Sequence, residues 1–343
     1  MTDWRLLHSE AVSGELLGEL PLISVDATET LNGTGRWSAS LPLDDVAQLT
    51  PGSTVVYLDR DGVILATGIV WTASADYGAG VLNVAGEGLG SYYRKRLITF
   101  YGSYTGVEQT SIAAAVQGTA DSLDGIGVTA VPVATGVTRD RTVNSDEAKP
   151  VLEFLEQLAA VDNGFDMRWR ARWSGGAPVR ELLFDYPATG RYTDLVFEVG
   201  VNCAVLEYSE DATSMATLVM GLGAGEGFDK LRRIAATPVS GTSTPRFDTS
   251  ISHLDVTVAA TLDGHVARRL QRGMRPVRRV RLRLVPDAEP TLGAFDVGDR
   301  VYVRAQRGWM NVADVFRIVE ISYAYSDQGE AVTLTLAGIE AFE

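Results

Sequence analysis

"STVVYLDRDGVILATGIVWTASADYGAGVLNVAGEG", residues 53–88, decides the fold class. Three β-rich runs are separated by turn signals. Asp61-Gly62 marks a tight hairpin, because both central positions of such a turn need φ > 0 and Asp and Gly tolerate it. Tyr77-Gly78-Ala79-Gly80 marks the next turn. The same order returns at "FDVGDRVYVRAQRGWMNVADVFRIVEISYAYSDQGEAVTLTLAGIEAF", residues 295–342, with Arg307-Gly308 and Gln328-Gly329 as turns. Pro51-Gly52 opens the first segment and Val297-Gly298 the second. Gly68-Ile69-Val70 answers Arg317-Ile318-Val319, and the run 81–86 answers 332–338. Any two antiparallel meanders share some of this pattern. The other reading is an internal duplication. The expected fold is mainly β with α/β insertions: two similar antiparallel β-barrels plus smaller helix-containing domains.

The expected domains are 1–97, a first barrel; 98–198, an α/β insertion; 199–237 together with 286–343, a second barrel; and 238–285, a small α/β insertion. Thr105-Gly106-Val107-Glu108 reads as a capping box before "QTSIAAAVQGTADSL". "KPVLEFLEQLAAVDNG", 149–164, reads as a helix with Pro150 in its first turn and Gly164 past its end. Val151, Phe154, Leu155, Leu158 and Ala159 form its apolar stripe. In "FDMRWRARW", 165–173, Phe165, Met167, Trp169, Ala171 and Trp173 share one face. Asp166, Arg168, Arg170 and Arg172 share the other. "TPVSGTSTPRFDTS", 237–250, is a polar linker into a small helical unit at about 256–273.

Composition narrows the function. At 343 residues, 45% of them hydrophobic, the chain has ample material for more than one buried core. A net charge of −14 argues against a dedicated nucleic-acid binder, which would show a basic field. The one cysteine, Cys203, sits among apolar residues and reads as a small core residue. The N-terminus lacks a signal-peptide core, and no run approaches the roughly 18 apolar residues of a membrane span. A soluble protein made inside a cell is expected.

"LVMGLGAGEGFDKL", 218–231, invites a phosphate-binding story: strand, glycine loop, helix. The spacing denies it. Glu226 stands where the third glycine of G-x-G-x-x-G belongs, and Gly227 is followed by Phe228 and Asp229 rather than a P-loop lysine. The glycines read as backbone bends where a strand leaves the second barrel, as "GEGLG", 86–90, does in the first.

The whole chain resembles the minor tail proteins of actinobacterial siphophages, and through them the baseplate hub proteins of tailed phages. The carriers are "WRLLHSEAVSGELLGELPLISVDATETLNGTGRWSASLPLDD" followed by "PGSTVVYLDRDGVILATGIVW", then "VLEFLEQLAAVDNGFDMRW", "GLGAGEGFDKLR" and "FDVGDRVYV…FRIVEISYAYSDQGEAVTLTLAG". Their combination in this order carries the likeness. The resemblance implies two similar barrels per chain and a homotrimer at the virion tail tip, so that six like units dock on a sixfold tail tube. It implies a structural role closing the tube and forming the channel for DNA ejection. The implied partners are a distal tail protein or tail-tube ring, the tape measure protein C-terminus, and other minor tail or fibre proteins. DNA is met only in transit, the chain inserts in no membrane, and synthesis is in the host cytoplasm. Some relatives carry a further C-terminal lytic or receptor-binding domain. The sequence stops after the last barrel strand, so none is expected here.

No chemistry is expected: no enzyme, no cofactor, no metal. His253 and His265 are twelve residues apart, without an H-E-x-x-H or Cys/His cluster. No G-x-S-x-G elbow occurs. A tail-associated cell-wall hydrolase and a carbohydrate-binding tip protein are the alternatives, which a zymogram on peptidoglycan and a glycan array would separate.

Charge layout supplies the candidate site residues. Arg268, Arg269, Arg272, Arg275, Arg278, Arg279, Arg281 and Arg283 fall within sixteen residues. Arg279, Arg281 and Arg283 share one strand face, with Val280, Leu282 and Leu284 on the other. This is either a solvated strand face or an interface for an acidic surface, since arginine makes bidentate carboxylate pairs. Asp59, Asp61, Asp327 and Glu330 are the acids expected either to line a channel or to face outward on turns.

Overall fold

In the computed structural model, residues 3–46, 49–161, 163–239, 243–254, 256–286 and 288–342 are described. The chain divides into two compact units. One comprises Met1–Thr193, Arg283–Arg300 and Ile318–Leu334, the other Asp194–Leu282, Val301–Arg317 and Thr335–Glu343. The protein is mainly β, with a few short helices.

The first unit opens with seven strands: β1 (Trp4–Glu10), β2 (Leu16–Leu20), β3 (Ser24–Thr30), β4 (Arg36–Pro42), β5 (Thr54–Arg60), β6 (Val63–Asp76) and β7 (Val81–Glu87). They pair in the order β3-β4-β7-β6-β5-β1-β2, antiparallel at every step. Asp61 and Gly62 both take φ > 0, at 53° and 84°, and close the β5–β6 hairpin as the sequence requires. Thr54 to Asp59 are all buried. Leu7, Val55, Tyr57 and Ile69 pack into the core of the insertion that follows. A strand covered on both faces reads as a continuous apolar run rather than an alternating one, hence "TVVYL". At Gly86 an added Cβ would lie 1.7 Å from the Ile69 carbonyl oxygen, so this glycine serves close backbone approach.

The insertion holds α1 (Gly90–Tyr93), β8 (Gly102–Glu108), α2 (Gln109–Asp121), β9 (Val128–Val131), β10 (Thr138–Val143), α3 (Val151–Ala159), β11 (Asp166–Ser174) and β12 (Ala177–Asp185). β12 joins β11 antiparallel and β9 parallel. The stripe expected on α3 is buried at Val151, Phe154, Leu155 and Leu158, as are Met167, Trp169 and Ala171 on β11. Two helix boundaries differ from expectation. Thr105 lies in β8, and α2 begins only at Gln109. Glu108 does not close a capping box: its carboxylate accepts the Thr135 and Gly136 N–H groups at 3.1 and 3.2 Å. Those bonds, led by the one from the Thr135 hydroxyl, hold it below its usual range. Pro150 precedes α3 as its N-cap rather than entering its first turn, and α3 ends at Ala159.

The remaining strands are β13 (Tyr192–Glu198), β14 (Cys203–Asp211), β15 (Leu218–Leu222), β16 (Arg232–Ala236), β17 (Asp248–Ser252), then α4 (Ala259–Gly273), β18 (Val277–Leu284), β19 (Arg300–Arg307), β20 (Met310–Ser326) and β21 (Gly329–Gly338). Six of them pair as β14-β18-β21-β20-β19-β13. This matches β3-β4-β7-β6-β5-β1 strand for strand. The meanders 53–88 and 295–342 are therefore parts of a longer repeat that also includes β1, β3 and β4 on one side and β13, β14 and β18 on the other.

The glycine stretch belongs elsewhere than expected. β15 pairs antiparallel with β16 and parallel with β17 in a three-stranded sheet of its own. Residues 218–236 thus sit with the small insertion, and β18, expected in that insertion, pairs with β14 and β21. Ala216, Val219, Leu262 and Val266 form the core between this sheet and α4. A Cβ on Gly221 would lie 2.4 Å from the Val266 side chain, so the glycine lets the helix close on the strand. The loop from Gly223 onward joins a hairpin and leads into no α-helix.

Candidate functional site

The arginine cluster divides once its contacts are placed. Arg278 turns inward. Its Nε donates to Glu340 at 2.9 Å, its Nη2 to Asp314 at 2.9 Å, and its guanidinium lies 5.1 Å over the Phe316 ring. Burial works to raise both carboxyls, but the Arg278 bonds outweigh it and hold both below their usual range. Arg269 donates to the Ser214 carbonyl at 2.9 Å, and Arg272 to that of Phe342 at 3.4 Å. Arg268 lies on α4, half-buried, and Arg275 is exposed beyond its end. Arg279, Arg281 and Arg283 point to solvent, while Val280 and Leu282 beneath them are buried. The exposed cationic strand face is thus Arg279, Arg281 and Arg283 of β18; Arg272 and Arg275 are exposed outside it, and Arg268, Arg269 and Arg278 are partly buried.

The four acids divide in the same way. Asp59 is fully buried. It accepts from Arg5 Nη2 at 2.8 Å, Trp173 Nε1 at 2.7 Å and the Gly62 N–H at 3.1 Å. The β1–β5 register puts Arg5 directly opposite it. A carboxylate without a solvent face cannot line a channel, so Asp59 is a structural acid. Glu330 is held by Arg60 Nη2 at 3.0 Å and Trp4 Nε1 at 2.8 Å, and the Trp4 ring stacks on Tyr325 at 5.5 Å. Asp61 and Asp327 lie on exposed turns, Asp61 3.6 Å from Arg60.

The first unit also contains a cavity of about 700 Å³. Its wall comes from β3, the start of β6, β11, Tyr323 of β20 and the segments 185–191 and 292–299. Arg168 donates to Asp296. Arg170 and Arg172 both reach Glu181, at 3.2 and 2.9 Å. The buried Asp299 accepts the Arg191 N–H at 2.9 Å, and Asp185 the Thr189 hydroxyl at 2.9 Å. Burial, then the neighbouring charge of Asp296, pushes the Glu29 carboxyl up to about 8, against the pull of Arg168 and Arg170. Tyr323 shares a hydrogen bond with Glu29, and its hydroxyl is pushed up by burial and by that carboxyl.

In the second unit the His253 and His265 rings stack at 4.1 Å, and no group of three metal-ligating side chains occurs among the described residues. No described helix is long and apolar enough to cross a membrane. Burial and the Glu198 charge push the Cys203 thiol up to about 11, in keeping with the core position read from its neighbours.

No family model matches the sequence, and no curated protein matches it. Solved structures do. A 43 kDa tail protein of prophage MuSo2 from Shewanella oneidensis superimposes with TM-score 0.71 at 14% identity over 98% of both chains. A tail protein from Neisseria meningitidis gives 0.63 at 15% identity, over 97% of this chain and 96% of that one. A prophage tail protein from Listeria monocytogenes gives 0.61 at 14% identity, over 96% and 94%. The fold is one that phage tail proteins share.

Within this tail-protein fold, sequence reading missed the cavity, because its wall is assembled from segments far apart in the chain. The signal that pointed toward it was the Arg168, Arg170, Arg172 face of β11. Asp59 was misplaced because a turn-flanking aspartate gives no sign, in sequence, of the Trp173 that covers it 114 residues later.

Proposed function

We propose that this chain is a structural protein of the phage virion, a tail-tip or baseplate hub akin to the minor tail proteins of actinobacterial siphophages. As a homotrimer it closes the distal end of the tail tube, adapts a sixfold tube to a threefold tip and forms the channel for DNA ejection. The observation that carries the reading is the repeated six-strand topology within one tail-protein fold. Three copies with two like six-strand sets each offer six similar units, and a heterologous ring closes only if each unit meets the next chain's other unit. In this reading Arg279, Arg281 and Arg283 form a contact surface for an acidic neighbour, either a second copy or a distal tail or tube protein. Tape measure and other minor tail proteins complete the tip. Asp61 and Asp327 add negative charge at the channel, where DNA passes without the counterion-releasing lysine and arginine contacts that would hold it. The role is architectural, with no catalytic residue assigned.

Light scattering on the purified chain, with its tail neighbours added where needed, together with negative-stain class averages, tests the proposal. A trimer with a threefold ring is expected. A stable dimer, or a ring of another symmetry, overturns it.

A further inference from the structure

The hub reading leaves the cavity of the first unit without a role. Its wall carries four arginines and four carboxylic acids. Burial keeps Glu29 protonated near neutral pH, and Glu181, behind Arg170 and Arg172, restores the balance. The site is therefore charge-neutral but dense in fixed, planar donors and acceptors. An ion meets no net opposite charge there, whereas hydroxyl groups can donate to the carboxylates and accept from the guanidinium N–H groups. Ion pairing has already immobilised these groups, so binding spends little entropy on ordering them. Arg172 gives only its Nε to Glu181. Its side chain is half exposed, and its two terminal nitrogens make no hydrogen bond among the described residues. Asp185 uses one oxygen for Thr189. Aromatic rings complete the wall: Tyr186, and Trp173, whose indole is locked by its bond to Asp59. An amphipathic ring beside fixed polar groups suits the apolar face of a pyranose.

We propose that this cavity binds a neutral oligosaccharide. At about 700 Å³ it lies within the roughly 300–1,000 Å³ range of small-ligand sites, room for a di- or trisaccharide. Hydroxyls of one sugar unit meet the free guanidinium edge of Arg172 and those of another the open oxygen of Asp185, which lie at opposite ends of the β11–β12 ladder, while a C–H face covers Tyr186. The inference does not depend on the hub reading: a trimer that binds no sugar refutes this proposal alone, and a sugar-binding monomer refutes only the other.

The test uses the full chain, with maltotriose and chitotriose as probes and inorganic phosphate as the anionic control, read by saturation-transfer NMR and by the Trp173 indole N–H resonance. Saturable millimolar binding of a trisaccharide is expected, weakened about tenfold or more by either Arg172→Gln or Asp185→Asn, two changes at partly exposed positions that leave the urea midpoint near wild type. Absence of binding by both sugars overturns the proposal. So does sugar binding that neither variant weakens, or preferential binding of phosphate.

Discussion

Arg180 offers the sharpest test of how the first unit is held together. It lies on β12 with 4% of its surface exposed. All five guanidinium N–H groups are used. Nε donates to the Tyr57 hydroxyl at 2.8 Å; Nη1 to the carbonyls of Ala11, at 2.6 Å, and Ile126; Nη2 to Ser9 Oγ at 2.7 Å and the Glu10 carbonyl at 3.1 Å. None of these acceptors is a carboxylate. The cation is held by neutral oxygens that belong to β1, the turn after it, β5 and the insertion. Arg180→Met keeps most of the volume and removes every donor. Ser9 and Tyr57 still satisfy one another at 2.9 Å, and the Glu10 carbonyl keeps the Gly14 N–H at 3.1 Å. The Ala11 and Ile126 carbonyls are left buried and unpaired, at about 1–3 kcal/mol each. Methionine no longer buries a charge, which returns part of that loss. A net destabilisation of about 3 kcal/mol follows, lowering the unfolding midpoint of this unit by roughly 6–12 °C. Calorimetry gives the midpoint, and amide exchange at Ile126 and Val128 gives the locality. A variant as stable as wild type, or more so, would refute the reasoning, because desolvation of the cation would then outweigh its five bonds.

Two further outcomes follow from the electrostatics. Folding raises Glu29 from the ordinary carboxylate range to about 8, so the native state keeps a proton that the unfolded chain releases; stability should fall as pH climbs from about 5 to about 8, and Glu29→Gln should flatten that slope in urea titrations, whereas an unchanged slope would place Glu29 in water. Reversing Arg279, Arg281 and Arg283 to Glu should leave circular dichroism unchanged, because Val280 and Leu282 carry the packing, while weakening assembly in a salt-dependent way over a screening length of roughly 8–10 Å; normal incorporation of the triple variant into tails would refute the contact surface.

How much of this was legible in the sequence follows from the range of the interactions concerned. The β5–β6 hairpin is written locally, since Asp61-Gly62 between two apolar runs supplies the pair that tolerates the φ > 0 a two-residue turn needs. The α3 stripe and the β11 alternation are equally local, being periodic patterns with one partner face each. Glu108 misled because an S/T-x-x-E pattern is satisfied as well by a loop whose N–H groups happen to lie nearby, and only the fold decides that Thr135 is that neighbour. Arg278 and Asp59 look like surface charges in sequence. Their partners, Glu340 and Asp314 for one and Arg5 and Trp173 for the other, lie 36 to 114 residues away. The cavity is the extreme case, with no contiguous signature at all.

The duplication was seen only in part for a related reason. In the first copy β3 and β4 are joined by the short turn 31–35, so strand and turn signals run on without interruption. In the second copy the equivalent strands, β14 and β18, are separated by residues 212–276, which contain a complete sheet-and-helix module with its own small core. A chain inserted at a hairpin turn leaves the flanking ladder intact if its ends return close together, and the closure term grows only with the logarithm of its length. Strand pairing therefore survives the insertion, whereas the sequence pattern that announces a hairpin does not. What remains recognisable in sequence is the uninterrupted meander of β19, β20 and β21, where the repeat was read. Strand order, which records pairing regardless of chain distance, restores the other half, and with it the argument for two like units in each chain on which the proposed threefold ring depends.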